Sequence, residues 1–250
     1  MERDQRKRFE EGQSQHPIWH SLQLLENLHG TRVLHALQGL RGTAFETRLA
    51  NFACTRAENT TGFVDREFVS ALHILQAMAG DGLTSVVNAL LSANEPFSRL
   101  RGCESSIIRP DDKTRRLLCE LAVRQPEDPE DKRIPIDQLR AIDALAALGE
   151  YRGLFASVLS WGIEMSPYAA KMREGHSPAS DEDVAPLIQI LEQPDDERHA
   201  NAILALGLSG RTDLQPRLEQ QYLAAAPGSS VAQACLFALT DLGCEIQNET

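Results

Sequence analysis

The stretch DVAPLIQILEQPDDERHANAILALGLSGRTDLQPRLEQQYLAAAPGSSVAQACLFALTDLG, residues 183–243, contains one helical pattern twice. DVAPLIQIL and DLQPRLEQQ each begin with an aspartate that is followed three residues later by a proline, and Asp183 and Asp213 are 30 residues apart. ANAILAL (200–206) and AQACLFAL (232–239) also match, at a spacing of 32. An aspartate that caps a helix and a proline in its first turn predict equivalent helix starts at 183 and 213. A period near 30 built from helix, turn and helix is typical of a stacked repeat array.

The same pattern extends towards the N-terminus. RAIDALAALG (140–149) resembles RHANAILALG (198–207) at a displacement of 58 residues, close to two periods. SPYAAKMREG (166–175) is the candidate for a degenerate unit between them. Alanines on a helix face permit close approach of a neighbouring helix and leucines fill the remaining space, so each unit presents an apolar side to the next.

Apolar residues recur at the three- and four-residue spacing of helices along most of the chain, and almost nothing alternates as a strand would. The gaps between most predicted helices are short, which favours antiparallel hairpins. The sequence therefore predicts an all-α fold, an α-solenoid of stacked antiparallel helix pairs. The predicted helices are 18–29, 31–41, 43–58, 65–79, 82–93, 111–124, 136–148, 150–162, 166–174, 182–193, 196–208, 212–225 and 229–242.

Composition indicates a folded protein in a reducing compartment. Of the 250 residues 42% are hydrophobic, and no apolar run approaches the roughly 18 residues of a membrane helix, so we expect no membrane contact. The leader, residues 1–16, has charges with no apolar segment behind them, and we expect it to be disordered or frayed. The five cysteines form no C-x-x-C pair, which favours free thiols and a cytoplasmic location.

Two kinds of helical region are separated by the acidic, proline-rich stretch RQPEDPEDKRIP, residues 124–135. Its three prolines and seven charges predict an exposed loop or the joint between two sub-arrays. Residues 136–250 carry the regular repeats. Residues 17–123 are predicted to form irregular helical repeats, either in the same solenoid or as a helical module of their own.

Acidic charge is concentrated in one half of the chain. Residues 1–125 have 16 Lys and Arg against 15 Asp and Glu, whereas residues 126–250 have 9 against 21. An acidic surface repels phosphate backbones, so we expect no nucleic-acid partner for the C-terminal half. It favours instead another protein that offers a basic segment.

The order Asp-x-x-Pro, apolar helix, short polar turn and A-x-A-x-x-A-L-G resembles the short HEAT-like repeats of the phycobilin-lyase type, which are widespread in bacterial proteins. The resemblance covers residues 136–243 clearly and residues 18–123 weakly. It implies a non-catalytic, protein-binding scaffold, adaptor or regulatory subunit. A minority of such arrays handle ligands, through bilin attachment, iron-dependent hydroxylation or DNA base excision. The alternative is therefore a lyase-like or other ligand-handling HEAT-repeat enzyme with its site in a groove.

No residue pattern points to catalysis, a cofactor or a metal. None of the seven histidines is followed by Glu, as paired iron ligands at repeated helix ends would require. G-x-S-x-G, P-loop and G-x-G-x-x-G motifs are all missing from the sequence. We therefore predict no catalytic, cofactor-binding or metal-binding residues.

Partner contacts are predicted from residue type. Aromatic residues and arginine concentrate in protein interfaces, which selects Tyr151, Arg152, Trp161 and Arg211. Three consecutive acids, Asp181, Glu182 and Asp183, would meet a basic partner. The C-terminal repeat end, residues 231–242, is a second surface expected to pack on a partner.

Overall fold

The computed structural model describes residues 34–59, 65–124, 134–162, 166–193 and 195–244. All the regular structure in these ranges is helical, which confirms the predicted all-α class. A short helical segment at 34–38 precedes twelve α-helices and one 3₁₀ helix, Thr212–Leu214. The α-helices are α1 (Ala44–Asn59), α2 (Arg66–Met78), α3 (Asp81–Leu91), α4 (Pro96–Ser106), α5 (Asp112–Ala122), α6 (Ile136–Leu148), α7 (Tyr151–Trp161), α8 (Ser166–Gly175), α9 (Asp181–Leu191), α10 (His199–Gly207), α11 (Gln215–Ala224) and α12 (Ser230–Asp241).

Most predicted helices are present within a few residues of their expected bounds. The predicted helix 18–29 and most of the acidic loop 124–135 lie outside the described residues. One helix, α4, was missed. Its buried face carries mainly small or polar residues, so it lacks the leucine-rich pattern that marks the others. The buried residues of this helix are Ser98, Arg99, Gly102, Cys103, Ser105 and Ser106.

The chain divides into two compact units, Met1–Thr114 and Arg115–Thr250. In the first unit α1 packs against α2 and α3, and α3 packs against α4. The buried carboxylate of Glu46 in α1 accepts hydrogen bonds from the backbone N–H groups of Gly42 and Gly82, each at 2.6 Å. It therefore accepts from one of the backbone N–H groups at the start of α3 that have no partner within the helix. The N-cap residue Gly80 has no side chain that could do so.

In the second unit, helices consecutive in sequence pack as pairs: α6 with α7, α9 with α10, and α11 with α12. The later members of these pairs also pack in a row, α7 against α10 and α10 against α12. A Cβ at Gly207 would lie 2.7 Å from the Cα of Ala238, so α10 and α12 approach with almost no space between their backbones. The second unit is thus helical-repeat-like, built from pairs that share one row.

Two expected helix starts are placed differently from the prediction. Ser180, and not Asp183, is the N-cap of α9, and Pro186 lies at the sixth helical position instead of in the first turn. Proline has no backbone N–H, so Pro186 cannot donate to the carbonyl of Glu182 as a helical residue normally would. Both residues are exposed, so water can hydrogen-bond to that carbonyl instead. Asp213 lies in the 3₁₀ turn, and Pro216 alone is in a first turn, that of α11.

The C-terminal helix is better covered than the sequence suggested. α12 packs on both α10 and α11, and its small residues Ala232, Ala234 and Ala238 are buried. Phe237 is its exposed large apolar side chain, with 42% of its surface accessible. One face of residues 231–242 is therefore packed within the unit, and the packing of this repeat end on a partner stays a prediction.

Candidate functional site

Five of the seven predicted contact residues converge at the starts of helices in the second unit. Arg152, in the first turn of α7, donates from Nε to Oδ1 of Asp183 at 2.7 Å and from Nη2 to Oε2 of Glu182 at 3.2 Å. Arg211 donates from Nη1 to Oδ1 of Asp181 at 2.7 Å and from Nε to Oδ1 of Asp213, also at 2.7 Å. We call these six residues the helix-start cluster: Arg152, Asp181, Glu182, Asp183, Arg211 and Asp213.

A capping box holds the acidic turn of α9 in place. The Ser180 hydroxyl accepts from the Asp183 backbone N–H at 3.3 Å, and the Asp183 carboxylate accepts from the Ser180 backbone N–H at 3.2 Å. The Ser180 hydroxyl also donates to the same carboxylate at 2.6 Å. Negative side chains are stabilised at this end of a helix because its free N–H groups carry partial positive charge. Local helix energetics therefore favour acids at 181–183.

Hydrogen bonds within the cluster favour the charged forms of Asp183, Asp213 and Arg211. Burial pushes the pKa of Asp183 upward, but hydrogen bonds from Ser180 and Arg152 outweigh it and hold that pKa below the ordinary value. The hydrogen bond from Arg211 lowers the pKa of Asp213. Bonds to Asp213 and Asp181 raise the pKa of the Arg211 guanidinium. Four carboxylates against two guanidinium groups leave the cluster net negative.

The exposed part of the cluster carries a larger share of acidic groups than the cluster as a whole. The Asp181 and Glu182 side chains are 92% and 86% accessible, whereas Arg211 is only 20% accessible. Arg211 is therefore used to hold the turns together, and the two leading acids face the solvent. The Arg152 side chain is also exposed, at 67%, so a ligand that approaches this edge meets two carboxylates and one guanidinium group.

The two predicted aromatic residues make their polar contacts inside the unit. Tyr151 is buried, donates from its hydroxyl to the carbonyl of Ser177 at 2.9 Å, and lies 5.7 Å from Phe155 between ring centroids. Trp161, at the opposite end of α7, donates from Nε1 to the carbonyl of Ala122 at 2.9 Å. Both side chains use their polar atoms within the fold.

The Arg211 contact has a counterpart in the first unit that the sequence analysis did not single out. Arg211 also donates to the carbonyl of Ala179 at 3.3 Å, and in the first unit Arg109 donates to the carbonyl of Ala79 at 3.2 Å and to Asp81 at 2.6 Å. The segments involved are Ala-Gly-Asp and Arg-Pro-Asp in the first unit, and Ala-Ser-Asp and Arg-Thr-Asp in the second. Each unit thus uses an Arg-x-Asp turn to join the starts of two helices with one helix between them in the chain, α3 and α5 in the first unit and α9 and α11 in the second.

A cavity between α6 and α8 is a second feature of the second unit, and its side chains were not predicted as a site. It has a volume of about 460 Å³ and is lined by Arg140, Asp143, Ala146, Ala147, Lys171 and His176. These residues belong to α6, to α8 and to the position just after α8, and α7 separates the two helices in the chain. The repeat spacing of the sequence therefore does not indicate that they lie close together.

Two further observations apply to the described part of the chain. No three His, Cys, Asp or Glu side chains in it are grouped so that they could hold a metal ion. None of its helices combines the length and apolar content needed to cross a bilayer.

Comparisons of the chain with family models, with curated proteins and with solved structures gave no match.

Proposed function

We propose that this protein is a non-catalytic binding scaffold, adaptor or regulatory subunit that uses the helix-start cluster to hold a basic segment of another protein. The observation that carries the proposal is the convergence of four carboxylates with two guanidinium groups, from three separate chain segments, on one net-negative edge; they belong to Asp181, Glu182, Asp183 and Asp213, and to Arg152 and Arg211. Charged edges of this kind guide a partner of opposite charge and select against others.

The architecture that supports this function is a HEAT-like α-solenoid. The packing of α6 with α7, α9 with α10 and α11 with α12, together with the row α7, α10 and α12, supports this architecture. Arg152 and Arg211 link the start of α7, the start of α9 and the turn before α11 along one edge, so the acidic groups form an extended surface suited to an extended peptide.

Affinity purification with quantitative mass spectrometry tests the proposal. The informative variant is Asp181→Lys/Glu182→Lys, because both side chains are exposed and neither makes the capping-box bonds that Asp183 makes. We expect at least one partner recovered by the wild type to be lost from this variant.

Glu192→Lys is the matched control. Glu192 is 63% accessible, lies just beyond the last residue of α9, and has its own arginine partner, Arg217 Nη2 at 2.9 Å. This variant should retain the partner. Equal recovery by all three proteins would contradict the proposal.

A further inference from the structure

The cavity between α6 and α8 carries positive charge inside an acidic unit. Residues 115–250 contain 12 Lys and Arg against 22 Asp and Glu, yet the cavity lining has Arg140 and Lys171 against one acid, Asp143. Its volume of about 460 Å³ is within the range of small-molecule sites, roughly 300–1,000 Å³. The local excess of cations is therefore placed where a small molecule fits.

The one acid in the lining is already engaged on both oxygens. Asp143 accepts from the Tyr168 hydroxyl at Oδ1, at 2.7 Å, and from Arg140 Nη1 at Oδ2, at 2.9 Å. Burial, followed by this bond to Asp143, raises the pKa of Tyr168 to about 12, so the phenol stays protonated and continues to donate. Arg140 uses one of its five N–H groups on Asp143 and has others to offer.

The carbonyl oxygen of Ala146, a residue that lines the cavity, is hydrogen-bonded as well. His176 Nε2 lies 3.0 Å from the carbonyl oxygen of Ala146, a distance at which the ring nitrogen donates, and the Gly149 N–H donates to the same oxygen at 3.2 Å. The His176 ring lies over Gly149, where a Cβ would be 2.7 Å from Nδ1. A carbonyl that would repel an anion is thereby satisfied.

Lys171 supplies a positive charge that no carboxylate in the described ranges pairs with. It is exposed, its Nζ lies 5.7 Å from the centroid of the Tyr168 ring, and it makes no ion pair with any residue in the described ranges. A lysine ammonium and a partly used guanidinium next to the small side chains of Ala146 and Ala147 match a compact, doubly charged oxyanion better than a bulky or neutral group.

We infer that this cavity is a binding site for a small molecule bearing a phosphate group, held by Lys171 and Arg140 and bounded by His176. The inference is independent of the helix-start cluster, so either can fail without the other.

Isothermal titration calorimetry with pyrophosphate tests the site, with succinate at equal ionic strength as the carboxylate comparison. We expect pyrophosphate to bind the wild type more tightly than succinate, and Lys171→Gln to weaken pyrophosphate about tenfold, since a charge-assisted hydrogen bond contributes about that factor. Arg140→Gln should have a similar effect. Arg217→Gln, which removes an arginine of α11 outside the cavity lining, should have none.

Lys171→Gln is the deciding variant because it removes no hydrogen bond within the described fold, and an unchanged circular dichroism spectrum verifies this. The ring signals of His176 in proton NMR provide a second readout, and in Lys171→Gln they should need about ten times more pyrophosphate to shift than in the wild type. Absence of pyrophosphate binding, or equal affinity in wild type and Lys171→Gln, would overturn the inference. Tighter binding of succinate would overturn the choice of phosphate.

Discussion

Arg211 donates from Nη1 to Oδ1 of Asp181, 30 residues earlier in the chain, at 2.7 Å. The contact ties the turn before α11 to the first turn of α9, and its counterpart in the first unit ties Arg109 to Asp81 at 2.6 Å. Each arginine thus bonds to the first turn of an earlier helix and holds two helix starts together. The contact also leaves Asp181 at the surface. One residue pair therefore contributes both to the packing of consecutive helix pairs and to the negative charge on the surface of the unit.

Replacing this arginine should destabilise the second unit. Arg211→Gln removes the bonds to Asp181, Asp213 and the Ala179 carbonyl, and we expect a loss of about 1 kcal/mol in the free energy of unfolding after solvent screening. Urea unfolding followed by circular dichroism measures it. Arg217→Gln, which removes a single surface pair, should cost less, and an equal cost would show that the double link has no special role.

The close spacing of α10 and α12 is predicted to require a glycine at position 207. Gly207→Ala would put a methyl group 2.7 Å from the Cα of Ala238, a backbone atom that can yield only by moving a helix. We expect a loss of about 1–3 kcal/mol, the usual cost of overpacking. Gly175→Ala is the control, because a Cβ there meets nothing within 4 Å. Thermal unfolding that ranks the two variants alike would contradict the close approach.

The stabilising effect of Asp213 should depend on pH. Its pKa is lower in the folded chain than the ordinary 3.8, mainly through the Arg211 hydrogen bond, so it contributes stability above that pH and loses the contribution as pH falls through the folded pKa. Asp213→Asn should therefore be less stable than wild type at pH 7 and approach it below about pH 4. Urea titrations at pH 7, 5 and 3 measure the difference.

The same substitution in an Arg211→Gln background provides the control. Without the guanidinium the pKa of Asp213 loses its main cause of depression, so the pH dependence of the difference should shrink. A dependence that is the same in both backgrounds would assign the effect to another group.

Trp161 is predicted to support the fold and not the partner surface. Trp161→Phe keeps an aromatic ring but removes the bond from Nε1 to the Ala122 carbonyl at the end of α5, which should cost about 1 kcal/mol. Chemical unfolding measures this cost. Partner recovery should be unchanged, and loss of the partner from a folded Trp161→Phe protein would place the tryptophan in the interface.

Helix existence was predictable from the sequence because leucine and alanine at helical spacing mark every pair of the second unit. α4 was not, since its buried face relies on Gly102, Ser105 and Ser106, and small or polar residues give no apolar period. Pro186 was misplaced for a related reason. Helical prolines are most common in the first turn, and the sequence analysis therefore placed Pro186 there. The Ser180 capping box starts α9 earlier, so Pro186 lies in the helix interior.

The charged part of the candidate site was partly predictable. Acids at 181–183 and arginines at 152 and 211 were selected by residue type, but their convergence depends on how α7, α9 and the 3₁₀ turn pack. The aromatic choices lacked a signal for burial: Tyr151 follows the αL turn at Gly149, and its hydroxyl meets the Ser177 carbonyl only through tertiary structure. The α6/α8 cavity has no sequence signature for the same reason.

The most direct test of the central claim is the dissociation constant of the recovered partner for three purified proteins: wild type, Asp181→Lys/Glu182→Lys and Glu192→Lys, each at low and at physiological salt. We expect the double variant to bind at least about tenfold more weakly and with less salt dependence, and Glu192→Lys to match the wild type. Equal dissociation constants for all three proteins at both salt concentrations would contradict it.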